Sequence, residues 1–130
     1  MRLLLDTHAF LWWLTADKRL SVACYEKIRD AASECVVSAA SIWEIAIKMS
    51  IGKLKMPQKD ASRLGTLPSR CGFDDLPVTA EHAAAVRALP LHHADPFDRL
   101  LIVRTQLEGM NIVTADSAFD AYAVATVPTG

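Results

Sequence analysis

No stretch of this chain approaches the roughly 20 consecutive apolar residues that a membrane span needs. The start, Met1-Arg2 followed by leucines, superficially resembles a secretion signal. Asp6 and His8 interrupt it, however, and the uninterrupted run Ala9 to Leu14 is too short for a signal core. Cysteine is also sparse. Cys24, Cys35 and Cys71 are an odd number with no C-x-x-C spacing, which argues against a disulfide framework and for ordinary thiols in a reducing cytoplasm. Charge of one sign is missing too, with 14 basic against 15 acidic residues. No global basic field marks a nucleic-acid binder, so any such contact must come from a local patch. Long Gly, Ser or Pro linkers, low-complexity tracts and internal repeats are absent, and 130 residues suit one domain spanning 1–130.

What the chain does have is apolar residues, 52% of the total. That share suggests a sheet covered on both faces, or an apolar surface used by a partner. Arg2 to Leu5, Cys35 to Ser38 and Asn111 to Thr114 read as short buried strands, with a last one expected at Ala123 to Val127. Leu76-Pro77-Val78 reads as an edge strand, because its proline cannot donate to a ladder on both sides. Between the strands lie helical segments at Thr7 to Leu14, at Val22 to Ala32 behind a Ser21 cap, and from position 39 to a stop at Gly52. A weaker one runs from Ala61 to Leu67 and breaks at Pro68. Thr79 caps Ala80 to Leu89, and Asp95 caps a helix with Pro96 at its first position and Gly109 just beyond its end. Strand–helix alternation predicts an α/β fold, a central parallel sheet of about five strands in an α/β/α sandwich.

Acids recur at the ends of these strands. Asp6 follows the first, Glu44 lies in the helix fed by the second, Asp116 follows the Asn111 strand, and Asp98 opens the helix before it. In a parallel sheet the strand ends share one edge, where ligand sites form. Each acid alone has an ordinary explanation. Asp6 can cap a helix, Glu44 can close a capping box with Ser41 or pair with Lys48, Asp98 suits a helix N-terminus, and Asp116 can close a turn. Yet Glu44 sits in Ile42-Trp43-Glu44-Ile45-Ala46-Ile47, apolar nearly all round, and all four acids fall at one edge. Clustered carboxylates persist only with a cation or with raised pKa values, and an all-oxygen donor set favours Mg²⁺ or Mn²⁺.

Four segments carry a family resemblance: Leu3-Leu4-Leu5-Asp6-Thr7-His8, Ser38-Ala39-Ala40-Ser41-Ile42-Trp43-Glu44, His93 to Ile102, and Val113-Thr114-Ala115-Asp116. In this order and spacing the chain resembles the PIN-domain ribonucleases, and among them the VapC-type toxins of bacterial toxin–antitoxin pairs. The resemblance implies an α/β/α sandwich, and it implies that Asp6, Glu44, Asp98 and Asp116 are the catalytic acids that hold the divalent metal. It further implies cleavage of RNA and inhibition by an antitoxin bound across the active groove. Asp95 competes with Asp98 for the third metal position; the aromatic-Asp pattern of Phe97-Asp98 favours Asp98, and Asp95 is explained as a cap. Thr7, Asp95 and Ser117 are candidates to support the ligands from behind. His8, His92 and His93 are not needed by this scheme, and Trp12, Trp13 and Trp43 are expected in the core or an interface.

The chemistry implied is metal-assisted phosphodiester hydrolysis, with water as nucleophile and a 5′-phosphate left on the product. Lys48, Lys53 and Lys55, with Arg99 beside Asp98, are the candidate RNA contacts. No lysine follows Lys59, which excludes a receiver domain, and position 8 is His8 rather than the second acid of an Asp-nucleophile phosphatase. The remaining alternative is a catalytically silent PIN-like module that binds RNA or protein. The large apolar groups at Phe10 to Leu14 and Val22 to Ile28 also lead to an expected homodimer, with a groove for an apolar antitoxin segment.

Overall fold

A computed structural model describes residues 1–130. Five parallel strands, β1 (Arg2–Leu5), β2 (Glu34–Ser38), β3 (Asp74–Leu76), β4 (Asn111–Thr114) and β5 (Ala125–Pro128), form one sheet in the order β3-β2-β1-β4-β5. Side-chain alternation explains why the strands read as continuous apolar runs. Leu3, Leu5, Cys35, Val37 and Val113 point into one core with Phe10, Cys24, Ile28 and Ile45, while Leu4, Val36 and Ile112 point into another with Leu101, Ile102 and Phe119. Both faces are buried, as in other fully parallel sheets. The first core lies under α1 (Thr7–Thr15), α2 (Val22–Arg29) and α3 (Ala39–Ser50); the second lies under α7 (Pro96–Glu108).

The chain leaves β1 in one direction toward β2 and β3, and the other half of the sheet, β4 and β5, lies on the opposite side. The order therefore reverses beside β1, which opens a crevice above the β1 and β4 ends. Register makes those ends flush. Leu5 is level with Val113 on one side and with Val37 on the other. Asp6, Thr114 and Ser38 follow directly.

Several sequence expectations shift by a few residues, each for a local reason. The edge strand occupies Asp74–Leu76 and stops before Pro77, which has no N–H for the ladder. The last strand starts at Ala125 rather than Ala123. Pro68 does not break a helix; it lies in the first turn of α5 (Leu67–Arg70), where its missing N–H costs nothing. The Ala61 to Leu67 segment is instead the end of α4 (Gln58–Ala61) and a 3₁₀ turn at Leu64–Thr66. α2 stops at Arg29, and the Ala80 helix, α6 (Ala80–Ala85), gives way to a 3₁₀ turn at Val86–Ala88. Gly109 takes the left-handed conformation (φ 63°) expected just past α7.

The apolar surplus of the first two helices is largely absorbed by packing. Leu11, Trp12, Trp13, Leu14 and Tyr25 lie against the first core, and Trp13 stacks on Tyr25 at 4.3 Å. Trp43 is the reverse case, 59% exposed on α3 and edge-on to Phe97. All three cysteines are free thiols, and burial pushes the Cys35 thiol up to about 11. No helix is long and apolar enough to cross a membrane.

Candidate metal centre

Asp6 leaves β1 and caps α1, accepting the Ala9 N–H at 2.8 Å. The cap uses Oδ1, and the carboxylate is only 4% exposed. Its pKa is raised, first by burial and last by the Asp116 charge, against hydrogen bonds from the Thr114 side chain and the Ala9 N–H and the charge of His8. Thr114 is a residue that sequence reading passed over. Its hydroxyl oxygen accepts the Asp116 N–H at 3.0 Å, and its side chain lowers the Asp6 pKa, so it stands between two of the acids.

Glu44 is buried on α3 at 5% exposure, and both its oxygens have protein partners. Oε1 accepts from the Thr7 hydroxyl at 2.6 Å, which also shares a hydrogen bond with Ser41 at 3.0 Å. Oε2 lies 2.8 Å from Lys48 Nζ, one turn on. Thr7 therefore orients Glu44. The capping-box alternative for Ser41 and Glu44 falls away, because Ser38 caps α3 and Ser41 is buried inside it.

Asp98 stands in the first turn of α7, and burial, with Asp95 next and Asp6 and Glu44 adding to it, pushes its carboxyl up to about 7 against the opposing pull of His93. It therefore senses three other acids, and Asp6 senses Asp116. Asp98 and Asp116 come within ligand spacing of each other, and Asp6 and Glu44 stand within electrostatic reach of Asp98. Asp116 forms the open side, with its side chain 44% exposed and Oδ1 capping the following turn through the Ala118 N–H. Asp95 is committed elsewhere: its Oδ1 accepts the N–H groups of Phe97 and Asp98 at 2.9 and 3.0 Å. Asp95→Ala is expected to lower unfolding stability in urea by about 1 kcal/mol, with Asp95→Asn unchanged because Asn also caps.

Two candidates do not reach the cluster. Ser117 is exposed and opens the turn Ser117–Ala121, with no hydrogen bond to the acids. Arg99 follows Asp98 in sequence but points away. Its guanidinium donates to the carbonyls of Val86, Leu89, Pro90 and His93. Those bonds hold the 86–93 segment and replace the expected RNA contact. Lys53 and Lys55 line a groove between α1 and the 53–60 connection, together with Lys48, Leu11, Trp12 and Met56.

His93 is the group that sequence reading set aside. Its Nε2 lies 2.9 Å from Asp98 Oδ2 and 3.2 Å from Asp116 Oδ2. Neither approach has hydrogen-bond direction, so this buried nitrogen has no hydrogen-bond partner. One ligand atom from each of His93, Asp98 and Asp116 falls within a 4.8 Å span. Buried carboxylates with raised pKa values, beside an Asp98–Asp116 pair whose oxygens lie within one 4.8 Å span, are what a divalent cation would resolve. The donor set fits such an ion.

A family profile described as PIN domain matches residues 3–125. Ribonuclease VapC16 of Mycobacterium tuberculosis (strain ATCC 25618 / H37Rv) is 41% identical over 61 residues, which are 47% of this chain and 43% of that protein. The aligned stretch thus spans less than half of that relative. VapBC2 from Rickettsia felis, solved bound to a DNA fragment from its promoter, superposes with a TM-score of 0.74 at 14% identity over 98% of each chain. FitAcB from Neisseria gonorrhoeae gives 0.61 at 18% identity over 95% of each chain. At these identities the likeness to the solved structures is one of fold.

Proposed function

From membership of the PIN domain family, to which this chain belongs, we propose that it is a metal-dependent endoribonuclease acting in the cytoplasm as the toxin of a toxin–antitoxin pair. The observation that carries the reading is the convergence of Asp6, Glu44, Asp98 and Asp116 at the β1–β4 crevice, where each of Asp6 and Asp98 is pushed toward protonation. The aligned ribonuclease and the toxin–antitoxin complexes of like fold support it.

Asp6, Asp98 and Asp116 would hold Mg²⁺ or Mn²⁺, with Glu44 adding charge from a position already shared with Lys48. When bound, such an ion neutralises phosphate charge and makes water a better nucleophile at neutral pH. The chain's own contribution is placement. Thr7 fixes Glu44, Thr114 holds the Asp116 backbone beside Asp6, and the α1 cap holds Asp6 in one rotamer. Lys53 and Lys55 would guide the RNA backbone along their groove, which Lys48 connects to Glu44. The decisive test is purified protein on RNA with and without EDTA, with sequencing of the new 5′ ends. Cleavage that persists undiminished in excess EDTA would overturn the reading.

The antitoxin would use the same groove, its apolar residues against Leu11, Trp12, Leu54 and Met56 and an Arg reaching the acids. An Arg there satisfies the same charges as the metal. Antitoxin affinity is therefore expected to fall as Mg²⁺ rises, and to weaken in Asp6→Asn or Asp116→Asn; calorimetric titration at several Mg²⁺ concentrations checks it. A homodimer belongs to this proposal, with its contact placed away from α1 and α2, whose large side chains mostly pack inward. Sedimentation at micromolar concentration measures it.

A further inference from the structure

The 86–95 segment is unusually well tied down for a loop, and its ties converge on one side chain. The His93 N–H donates to the Tyr122 hydroxyl at 2.9 Å, and the His93 carbonyl accepts from Arg99 at 3.2 Å. Tyr122 in turn donates to the Pro90 carbonyl at 2.8 Å, and Arg99 binds three further carbonyls of the segment. The imidazole stands edge-on to Phe119, which is wholly buried. Its Nδ1 accepts the Asp95 N–H at 3.4 Å. An accepting Nδ1 places the proton that faces the acids on Nε2.

That N–H faces two carboxylates which arrive from different elements, Asp98 from α7 and Asp116 from the end of β4. We infer that His93 is a positioning residue of the metal centre, whose Nε2–H spans Asp98 and Asp116 and holds them at ligand spacing. The inference rests on the metal-dependent reading above. The contact is electrostatic rather than a pair of aligned hydrogen bonds, which is why the nitrogen stays without a formal partner. Arg99, which sequence adjacency suggests for RNA, acts here as the clamp that keeps His93 in place.

Positioning makes predictions that packing alone does not. Outer groups that orient metal ligands are worth about 10- to 100-fold in metal affinity. His93→Phe keeps a ring against Phe119 and removes the donor; Mn²⁺ affinity by calorimetry is expected to fall by that factor. His93→Gln restores an N–H donor without the ring, and is expected to return affinity to within a few-fold of the parent. If the ring only packs, the order reverses, with Phe tolerated and Gln impaired, and the inference is overturned. Long-range ¹H–¹⁵N spectra of the unsubstituted, metal-free protein provide a second arm, expected to show His93 as the Nε2–H tautomer. The Nδ1–H tautomer, or direct ¹⁴N coupling to bound Mn²⁺ in electron spin-echo spectra, would make His93 a ligand and overturn the positioning role. A parent protein that binds no divalent cation overturns the functional reading and this inference together. Parent binding left unmoved by His93→Phe overturns this inference alone.

Discussion

Asp98→Asn is expected to reduce RNA cleavage by more than about 100-fold while leaving the fold intact. The bound rests on the 10- to 100-fold that loss of a mere supporting group costs a metal site; removing a ligand carboxylate should cost more. Asp98 is the acid whose charge the protein accommodates least well, buried and surrounded by Asp95, Asp6 and Glu44, with His93 alone opposing. A protein keeps such a group ionised at neutral pH only where something else neutralises it. Asp6→Asn should behave similarly, because Asn retains the α1 cap and removes only the charge. Asp95→Asn is the informative contrast. Its oxygen caps α7 and its charge only raises the pKa of Asp98, so activity should stay within a few-fold of the parent. Side-by-side cleavage assays and metal titrations of the three variants decide the third ligand. Loss of metal binding in Asp95→Asn but not in Asp98→Asn would reverse the assignment.

The layout of this site was readable because short continuous apolar runs mark strands buried on both faces, and the acids lie at or near the edge where those strands end. Leu3, Leu4 and Leu5 divide between two cores, and the residue after them must lie at the sheet edge. What sequence could not reveal was direction on a helix and identity across long loops. Successive helical residues diverge by about 100°, so neighbours in sequence do not share a face. Arg99 thus turns from Asp98 to the 86–93 carbonyls, and Trp43 emerges to 59% exposure beside a buried Glu44. His93 depends on Tyr122, 29 residues later, for the hydrogen bond that fixes its backbone. Nothing in the local run His92-His93-Ala94 records that partner. Pro77 misled differently: the apolar run Leu76-Pro77-Val78 has strand composition, but the ladder ends at the residue before the proline.

Divalent metal is expected to raise the melting temperature substantially at neutral pH, and Asp98→Asn to remove most of the need for it. A ligand that binds only the folded state stabilises it by about 2.7 kcal/mol at a 100-fold excess over its Kd. For a chain of this length that is a shift on the order of 10 °C. Chelated protein should show the complementary pH dependence. The Asp98 carboxyl titrates near 7 when folded against 3.8 when unfolded. Below about pH 4 both states hold the proton and the group contributes no difference. Between about 4 and 7 the unfolded chain has released its proton while the folded chain retains it, so stability falls as pH rises. Above about 7 both are ionised and the full penalty, a few kcal/mol by the size of the shift, is present. Asp6, also raised by burial, adds in the same direction. Melting curves in EDTA at several pH values should therefore decline toward neutrality and then flatten. Saturating Mn²⁺ should raise the neutral end most, and Asp98→Asn should flatten the chelated profile and melt higher than the parent at pH 7.5. A variant that instead melts well below the parent in EDTA would mean that Asp98 serves α7 as a stabilising N-terminal charge, and that the crowding of the four acids is not the liability that metal relieves.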